Sequence, residues 1–168
     1  MTEMADEVAR LFKGEEITKV LTMESSGIAI GFAVGAKLSV PMVFAKKNKS
    51  SNVSGDVYTA NVHSYTHNND YVATVSAEYL RAGDKILIVD DFLANGQALL
   101  GLIEIVRSAG AEVAGAGIVI EHKDNLFILV VLLFQVDPLL QAAHQLAHTA
   151  ENGNTMLRLS QFFLCADE

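Results

Sequence analysis

The 168-residue chain is of a length and composition typical of one domain, with 51% apolar and 19% charged residues. Its net charge of −8 argues against general binding to nucleic acid, which needs clustered Lys and Arg. The single cysteine, Cys165, excludes an intramolecular disulfide, and the acidic N-terminus is unlike a signal peptide. The longest apolar run, residues 126–134, is about half of what spans a bilayer. We therefore expect a cytoplasmic protein without membrane contact.

The first half of the chain alternates helical and strand patterns. The predicted elements are a helix over residues 4–12, a strand over 17–23, a helix over 27–38 and a strand over 40–45. A strand, a helix and a strand in succession imply parallel pairing through a right-handed crossover. A polar loop over residues 46–55 is predicted next, and then a hairpin whose strands cover 57–65 and 71–77.

The second half continues the alternation and then changes in character. It predicts a strand over residues 85–89, a helix over 98–109 and a strand over 113–120. Beyond them, residues 126–134 suit a buried strand or helix, 139–149 a helix, and 156–164 a strand or helix. The whole order fits an α/β fold: an open, mostly parallel sheet flanked by helices, with the hairpin inserted as an antiparallel flap.

The segment over residues 86–98 has the pattern of a binding site, because two aspartates and a glycine loop join a strand to a helix. At the carboxyl end of a parallel strand such a loop faces the ligand crevice. Backbone amides there would favour a phosphate; the residues concerned are Ala94, Asn95, Gly96, Gln97 and Ala98. Asp90 and Asp91 would repel a phosphate but suit two ribose hydroxyls. A ribose 5-phosphate satisfies both, whereas the bland alternative is a solvated strand end followed by a tight turn.

A second strand end has small residues that open a helix: Glu24, Ser25, Ser26 and Gly27. Their amides and hydroxyls could hold another anionic group. The alternative is an ordinary helix cap supplied by Ser25 or Ser26.

Lys46, Lys47 and Lys49 form the one dense cationic cluster of this acidic sequence. Because they follow a strand on the predicted ligand side of the sheet, they would attract a substrate with several negative charges. A solvated loop is the alternative interpretation.

Residues 88–98, Ile-Val-Asp-Asp-Phe-Leu-Ala-Asn-Gly-Gln-Ala, resemble the 5-phosphoribosyl-1-pyrophosphate (PRPP) motif of bacterial xanthine phosphoribosyltransferases, which are type I phosphoribosyltransferases. Similarity extends over about residues 4–121. The resemblance implies catalytic roles for Asp90 and Asp91 and 5′-phosphate binding by residues 94–98. It assigns pyrophosphate binding to residues 24–27, with a non-proline cis peptide bond, and to the three lysines.

The reaction implied by the resemblance transfers the phosphoribosyl group from PRPP to xanthine, giving XMP and pyrophosphate. The resemblance also implies that Mg²⁺ arrives with PRPP. The sequence itself has no His or Cys ligand spacing for a direct metal site. A homodimer is implied as well. The alternative is a catalytically silent or regulatory module that binds PRPP or a nucleotide.

Two departures from the family concern the purine. The family's N-terminal segment, which helps to form a hood over the base, has no counterpart ahead of residue 4. The family's base-contacting Lys is replaced by His122, and residues 124–168 do not match the family pattern. We therefore expect His122 to contact the base, with weak discrimination among purines.

Overall fold

A computed structural model describes residues 2–47, 55–64, 69–91, 96–122 and 125–132 of the chain. The elements are α1 (Thr2–Leu11), β1 (Lys19–Met23), α2 (Gly27–Leu38), β2 (Met42–Lys47), β3 (Val57–Ser64), β4 (Asn69–Ser76), β5 (Lys85–Asp90), α3 (Gln97–Ser108), β6 (Glu112–His122) and β7 (Asn125–Leu132). The predicted α/β alternation is confirmed.

The described strands form one seven-stranded sheet in the order β3-β4-β2-β1-β5-β6-β7. Its centre is parallel, since β1 pairs with β2 on one side and β5 on the other, and β5 pairs with β6. Helices α2 and α3 are therefore the crossovers of two parallel units, as the strand–helix–strand pattern predicts. The hairpin of β3 and β4 is antiparallel and extends the sheet beyond β2.

The two faces of the sheet are covered by different helices. On one face α1 and α2 pack over Val20, Leu87 and Val89, and on the other α3 packs over a cluster that includes Ile86 and Ile88. Successive side chains of β5 thus point into opposite cores, which explains why the strand is almost continuously apolar. The burial of both faces fixes its register.

The structure corrects one prediction in this part of the chain. Lys46 and Lys47 were expected in a loop, but β2 continues through them and pairs them with Thr74 and Ala73 of β4. The hairpin supplies these hydrogen-bond partners. A prediction from the polarity of residues 46–55 alone does not take such distant partners into account. The predicted loop over residues 46–55 otherwise falls mainly outside the described residues.

At the other edge, β7 pairs antiparallel with β6 through the register Ile118↔Leu129. This confirms the strand interpretation of the apolar run. The elements predicted over residues 139–149 and 156–164 lie outside the described residues. Within the described part of the chain, none of the helices has the length and apolar character needed to cross a membrane.

Candidate functional site

The carboxyl ends of β1 and β5 lie side by side, although about 65 residues separate them in sequence. From β1 the chain crosses through α2 to β2 on one side, and from β5 it crosses through α3 to β6 on the other. Between two crossovers that leave in opposite directions, an open α/β sheet has a crevice at its carboxyl edge. The two segments singled out in the sequence both end at this crevice.

The first segment brings two carboxyl groups together at the end of β5. Asp90 is 7% exposed, and its Oδ1 accepts a hydrogen bond of 3.1 Å from the backbone N–H of Asp91. Burial raises the pKa of Asp90 to about 7, helped by the side chain and charge of Asp91, while Lys47 acts in the opposite direction. A buried carboxyl group beside a second one holds a proton near neutral pH. A nearby cation or hydroxyl donor would therefore stabilise the ionised form of the pair.

The second segment, Glu24 to Gly27, is tied to the first by a direct contact. Ser26 donates its Oγ hydrogen to Asp91 Oδ1 at 2.9 Å, and the Glu24 carboxylate accepts the backbone N–H of Lys47. The peptide bond between Glu24 and Ser25 is cis, as the family resemblance implies. Ser26 occupies the N-cap position of α2, as the helix-cap alternative has it, but it makes no side-chain cap bond, because its hydroxyl donates to Asp91 instead.

Gly27 lies where β1, α2 and β5 approach one another most closely. A Cβ added there would stand 2.1 Å from Thr22 Oγ1 and 2.9 Å from Asp90 Oδ1. Both distances are shorter than real Cβ contacts, so a side chain at this position would displace the oxygens. Glycine is therefore required for the aspartate to sit against the start of α2.

The helix after β5 begins at the same crevice. Gly96 adopts φ +72° at the N-terminus of α3, and the first helical bond joins Leu100 N–H to the Gly96 carbonyl at 2.9 Å. The helix itself leaves the N–H groups of Gln97 and Ala98 unused, as at any helix start. Ala94 and Asn95 lie outside the described residues. The N–H groups of Gln97 and Ala98 could therefore donate hydrogen bonds to an anion, and the dipole of α3 would also favour a negative charge there.

The lysine cluster is divided between two faces of the sheet, because Lys46 and Lys47 are consecutive residues of a strand. Lys47 Nζ lies 5.6 Å from the centre of the Tyr71 ring. The positive charge of Lys47 also acts on Asp90 and lowers its pKa. Lys46 lines a wide groove of about 1010 Å³ together with Lys19, Phe44 and others. Lys49 lies outside the described residues.

Two residues of this neighbourhood were not identified from the sequence. Tyr71 comes from the hairpin, and its pKa is raised by burial and by the charge of Asp90. No local pattern marks it, since aromatic residues are common in strands. Thr22 is a buried hydroxyl within the apolar strand β1. A polar residue in a core strand is a signal that the sequence did contain.

The remaining predicted residue, His122, closes β6 and its backbone pairs with Asn125 of β7. Among the described residues there is no group of three His, Cys, Asp or Glu side chains placed to hold a metal ion. The described polar side chains that meet at the crevice are the carboxyl groups of Asp90 and Asp91 and the hydroxyl of Ser26.

The two aspartates, the serine loop and the start of α3 thus surround one crevice at the carboxyl edge of a parallel α/β sheet. The chain belongs to the phosphoribosyl transferase domain family, whose pattern matches residues 1–127. The family recognition made from residues 88–98 is thereby confirmed.

Known proteins narrow the similarity further. The chain is 50% identical over 121 residues to a xanthine phosphoribosyltransferase of Lachnoclostridium phytofermentans, covering 72% of this chain and 62% of that protein. It is 55% identical over 118 residues to the xanthine phosphoribosyltransferase of Heliobacterium modesticaldum, covering 70% of this chain and 62% of the relative. The chain thus spans less than two-thirds of the length of these relatives.

Solved structures agree on the fold. An adenine phosphoribosyltransferase from Giardia lamblia, complexed with 9-deazaadenine, superposes with a TM-score of 0.61 at 30% identity, covering 70% of this chain and 63% of that one. The adenine phosphoribosyltransferase of Saccharomyces cerevisiae matches with a TM-score of 0.62 at 20% identity, over 72% of this chain and 67% of its own. The second likeness shows the fold alone.

Proposed function

We propose that this chain transfers the 5-phosphoribosyl group of PRPP to a purine base, xanthine, with release of pyrophosphate. The observation that carries the proposal is the contact between the two loops at the crevice, where Ser26 donates to Asp91 beside the buried Asp90. Family membership supports the use of PRPP, and about 50% identity to proteins named xanthine phosphoribosyltransferase supports the base.

The 5′-phosphate is assigned to the loop that leads into α3. The amides of Gly96, Gln97 and Ala98 would bind it, with Ala94 and Asn95 completing the loop. The left-handed backbone of Gly96 supports this role, because it allows the chain to turn sharply into the helix without a side chain facing the anion.

The pyrophosphate is assigned to the loop of residues 24–27 and to the lysines. Ser25, Ser26 and Gly27 would supply hydroxyl and amide donors, while Glu24 holds the loop against β2 through Lys47 N–H. Of the two lysines that the structure describes, Lys47 is the better placed, because its charge acts on Asp90. Lys46 and Lys49 would add positive potential against the overall charge of −8.

Mg²⁺ would enter as part of the PRPP complex. Asp90 and Asp91 would act on this ion through its bound waters, since Mg²⁺ usually keeps several of them. Bound to the diphosphate, Mg²⁺ neutralises the charge that develops on the leaving group.

The reaction replaces one bond at C1 of the ribose by another. The C1–O bond to pyrophosphate breaks as a purine nitrogen forms the new C1–N bond, and the nitrogen's proton is released to solvent. In the transition state, when the C1–O bond is breaking and the C1–N bond is forming, the ribose carries oxocarbenium character. Asp90 and Asp91, placed at the ribose hydroxyls, would hold negative charge close to this developing positive charge.

Base recognition is assigned to His122, which replaces a family lysine. A histidine supplies a cation only when it is protonated, and an unperturbed one is mostly neutral at pH 7. The second carbonyl of xanthine would then be recognised weakly. We expect a high KM for xanthine and little preference over guanine or hypoxanthine, with improvement on His122→Lys. A hundredfold preference for xanthine in the unmodified chain, about 2.7 kcal/mol, would contradict this assignment.

Pyrophosphate release from PRPP and Mg²⁺ with each purine base tests the function. The unmodified chain should release pyrophosphate in a base-dependent way, and the Asp90→Asn, Asp91→Asn double variant should lose most of its kcat while it still binds ribose 5-phosphate. Asp56→Asn, at an exposed position near the hairpin, is the matched control. A double variant whose kcat stays within about threefold, less than 1 kcal/mol, would remove the two aspartates from the mechanism.

A catalytically silent PRPP-binding module is the second candidate. The observation in its favour is that the chain covers only 62% of the relatives' length and departs from the family at His122. Titration calorimetry with Mg²⁺ and PRPP separates the two, since the silent module would bind PRPP without base-dependent release of pyrophosphate.

A homodimer in the cytoplasm completes the proposal. Large apolar side chains that are exposed in the described part of the chain support association, because Phe32 is 67% and Tyr79 is 53% exposed. Sedimentation equilibrium at micromolar concentration tests this, and a monomeric mass would contradict it.

A further inference from the structure

The hydroxyl of Thr22 is buried without an evident structural role. Thr22 lies in β1 with 0% exposure, and its Oγ1 finds no hydrogen-bond partner among the residues that the structure describes. Its methyl group packs on α2, where a Cβ added at Gly31 would stand 3.2 Å from Thr22 Cγ2. A valine would fill this space equally well without burying an unpaired hydroxyl, which costs free energy. Packing alone therefore does not explain the hydroxyl.

The hydroxyl lies close to the buried member of the aspartate pair. Thr22 Oγ1 and Asp90 Oδ1 lie 2.1 and 2.9 Å from one common point, the position that a Cβ of Gly27 would occupy. The two oxygens thus border the same small space beside Gly27. A modest rotation of the threonine side chain or one buried water molecule would connect them.

The other groups that act on Asp90 come from the loop after β5, from β2 and from β4. The side chain and charge of Asp91, the first residue after β5, disfavour the ionised form of Asp90, while the backbone N–H of Asp91 and the charge of Lys47 of β2 favour it. Tyr71 of β4 senses the charge of Asp90 from the hairpin. The backbone N–H of Asp91 and the charge of Lys47 support a carboxylate here, and a hydroxyl donor from β1 would be a further support.

We propose that Thr22 is a positioning residue, whose hydroxyl donates a hydrogen bond to the ionised carboxylate of Asp90, directly or through one water. The bond holds the Asp90 carboxylate in a fixed orientation for its proposed place at the ribose hydroxyls. This role rests on the proposed function of Asp90. It also explains why Gly27 has no side chain, since any Cβ would occupy the space where the bond forms.

Titration of Asp90 tests the proposal without any need for turnover. Carboxyl carbon shifts of ¹³C-aspartate protein are followed against pH, with the Asp90 signal assigned by its absence in Asp90→Asn. Thr22→Val should move the Asp90 midpoint upward by about half a pH unit or more, because the charged form loses a donor. Thr22→Ser should stay near the unmodified midpoint.

A matched control distinguishes this effect from a general response to losing a buried threonine. Thr74 is 2% exposed on β4, and its hydroxyl contacts the backbone oxygen of Val72. Thr74→Val should leave the Asp90 midpoint in place. Thr22→Val should melt at the same or a higher temperature than the unmodified chain, and Thr22→Ala serves as the second hydroxyl deletion if the valine variant folds poorly. An unchanged midpoint in a folded hydroxyl deletion overturns the proposal.

Kinetics then test the consequence for catalysis. Thr22→Val should lower kcat for pyrophosphate release more than it raises the KM for PRPP, and it should move the acidic limb of the pH profile upward; Thr22→Ser should restore both. A shifted midpoint with unchanged kcat would overturn the positioning role. If the unmodified chain shows no base-dependent turnover, the proposed function fails, and the titration still decides whether Thr22 supports the charge of Asp90.

Discussion

Asp90 should make this protein less stable as the pH rises toward neutrality. Its pKa is raised from 3.8 to about 7, first by burial and then by Asp91. In the unfolded chain the carboxyl ionises near its ordinary pKa, so between about pH 4 and 7 the folded state keeps a proton that the unfolded state releases. Stability therefore falls with rising pH across this window. About three pKa units correspond to roughly 4 kcal/mol of unfolding free energy, as an upper limit.

The variant Asp90→Asn removes this titration and preserves the shape of the side chain. We expect it to be more stable than the unmodified chain at pH 8, by about 2–4 kcal/mol, with the gain shrinking toward zero near pH 4. Urea unfolding at pH 4.5, 6 and 8 measures the gain. Circular dichroism is the suitable signal, since the chain has no tryptophan.

The exposed Asp56 provides the control, because Asp56→Asn removes one carboxylate without touching the buried pair. A gain for Asp90→Asn that is the same at pH 4.5 and pH 8 would refute the reasoning, since it would mean that Asp90 is ionised in the folded state throughout. The stabilised variant should also be the poorer enzyme, as expected when a site retains a destabilising charge for its chemistry.

Three further changes test other contacts. Gly27→Ala should lower the unfolding free energy by about 1–3 kcal/mol in urea titrations, because the new Cβ would stand 2.1 Å from Thr22 Oγ1; an unchanged midpoint would contradict this close approach. Gly96→Val should abolish PRPP binding in calorimetry, since a branched residue does not tolerate φ +72°, and binding within threefold of normal would exclude that role. Asp84→Asn should destabilise the fold by about 1–3 kcal/mol at pH 7, because the ionised Asp84 would lose its hydrogen-bond partners. Burial by itself raises the pKa of Asp84, but the hydrogen bond from Lys19 and the other partners of Asp84 outweigh burial and lower the pKa overall. As the pH falls below 3.8 the contribution of the ionised carboxylate should decrease, so a difference as large at pH 2.5 as at pH 7 would argue against an ionised Asp84.

Features that depend on local pattern were predictable from the sequence. The helix over residues 27–38 has the predicted limits, and β5 ends at Asp90, the first residue of the aspartate pair. At the limits of the helix and at the end of β5, the spacing of the apolar residues changes, and a small or acidic residue occurs at the same position. The composition of residues 88–98 also indicated the family, which the match over residues 1–127 confirms. The individual site roles remain predictions.

Features that depend on pairing between distant segments were not predictable. Lys46 and Lys47 extend β2 because β4 offers them a hydrogen-bonded partner, which outweighs the local preference for a loop. Tyr71 reaches the crevice because the hairpin joins the sheet at the same edge. Neither outcome is encoded within a window of ten or twenty residues.

By itself, the sequence determined the order of helices and strands, the acidic strand end and the family, because each is written in consecutive residues. The tertiary structure alone decided that the Glu24–Gly27 loop meets Asp90 and Asp91, since this contact follows from the parallel pairing of β1 with β5. It also decided that the Ser26 hydroxyl, at the N-cap position of α2, bonds to Asp91 and makes no side-chain cap bond to its own helix. Charge, burial and close approach then act together at Asp90, where they raise a pKa that no local pattern reports.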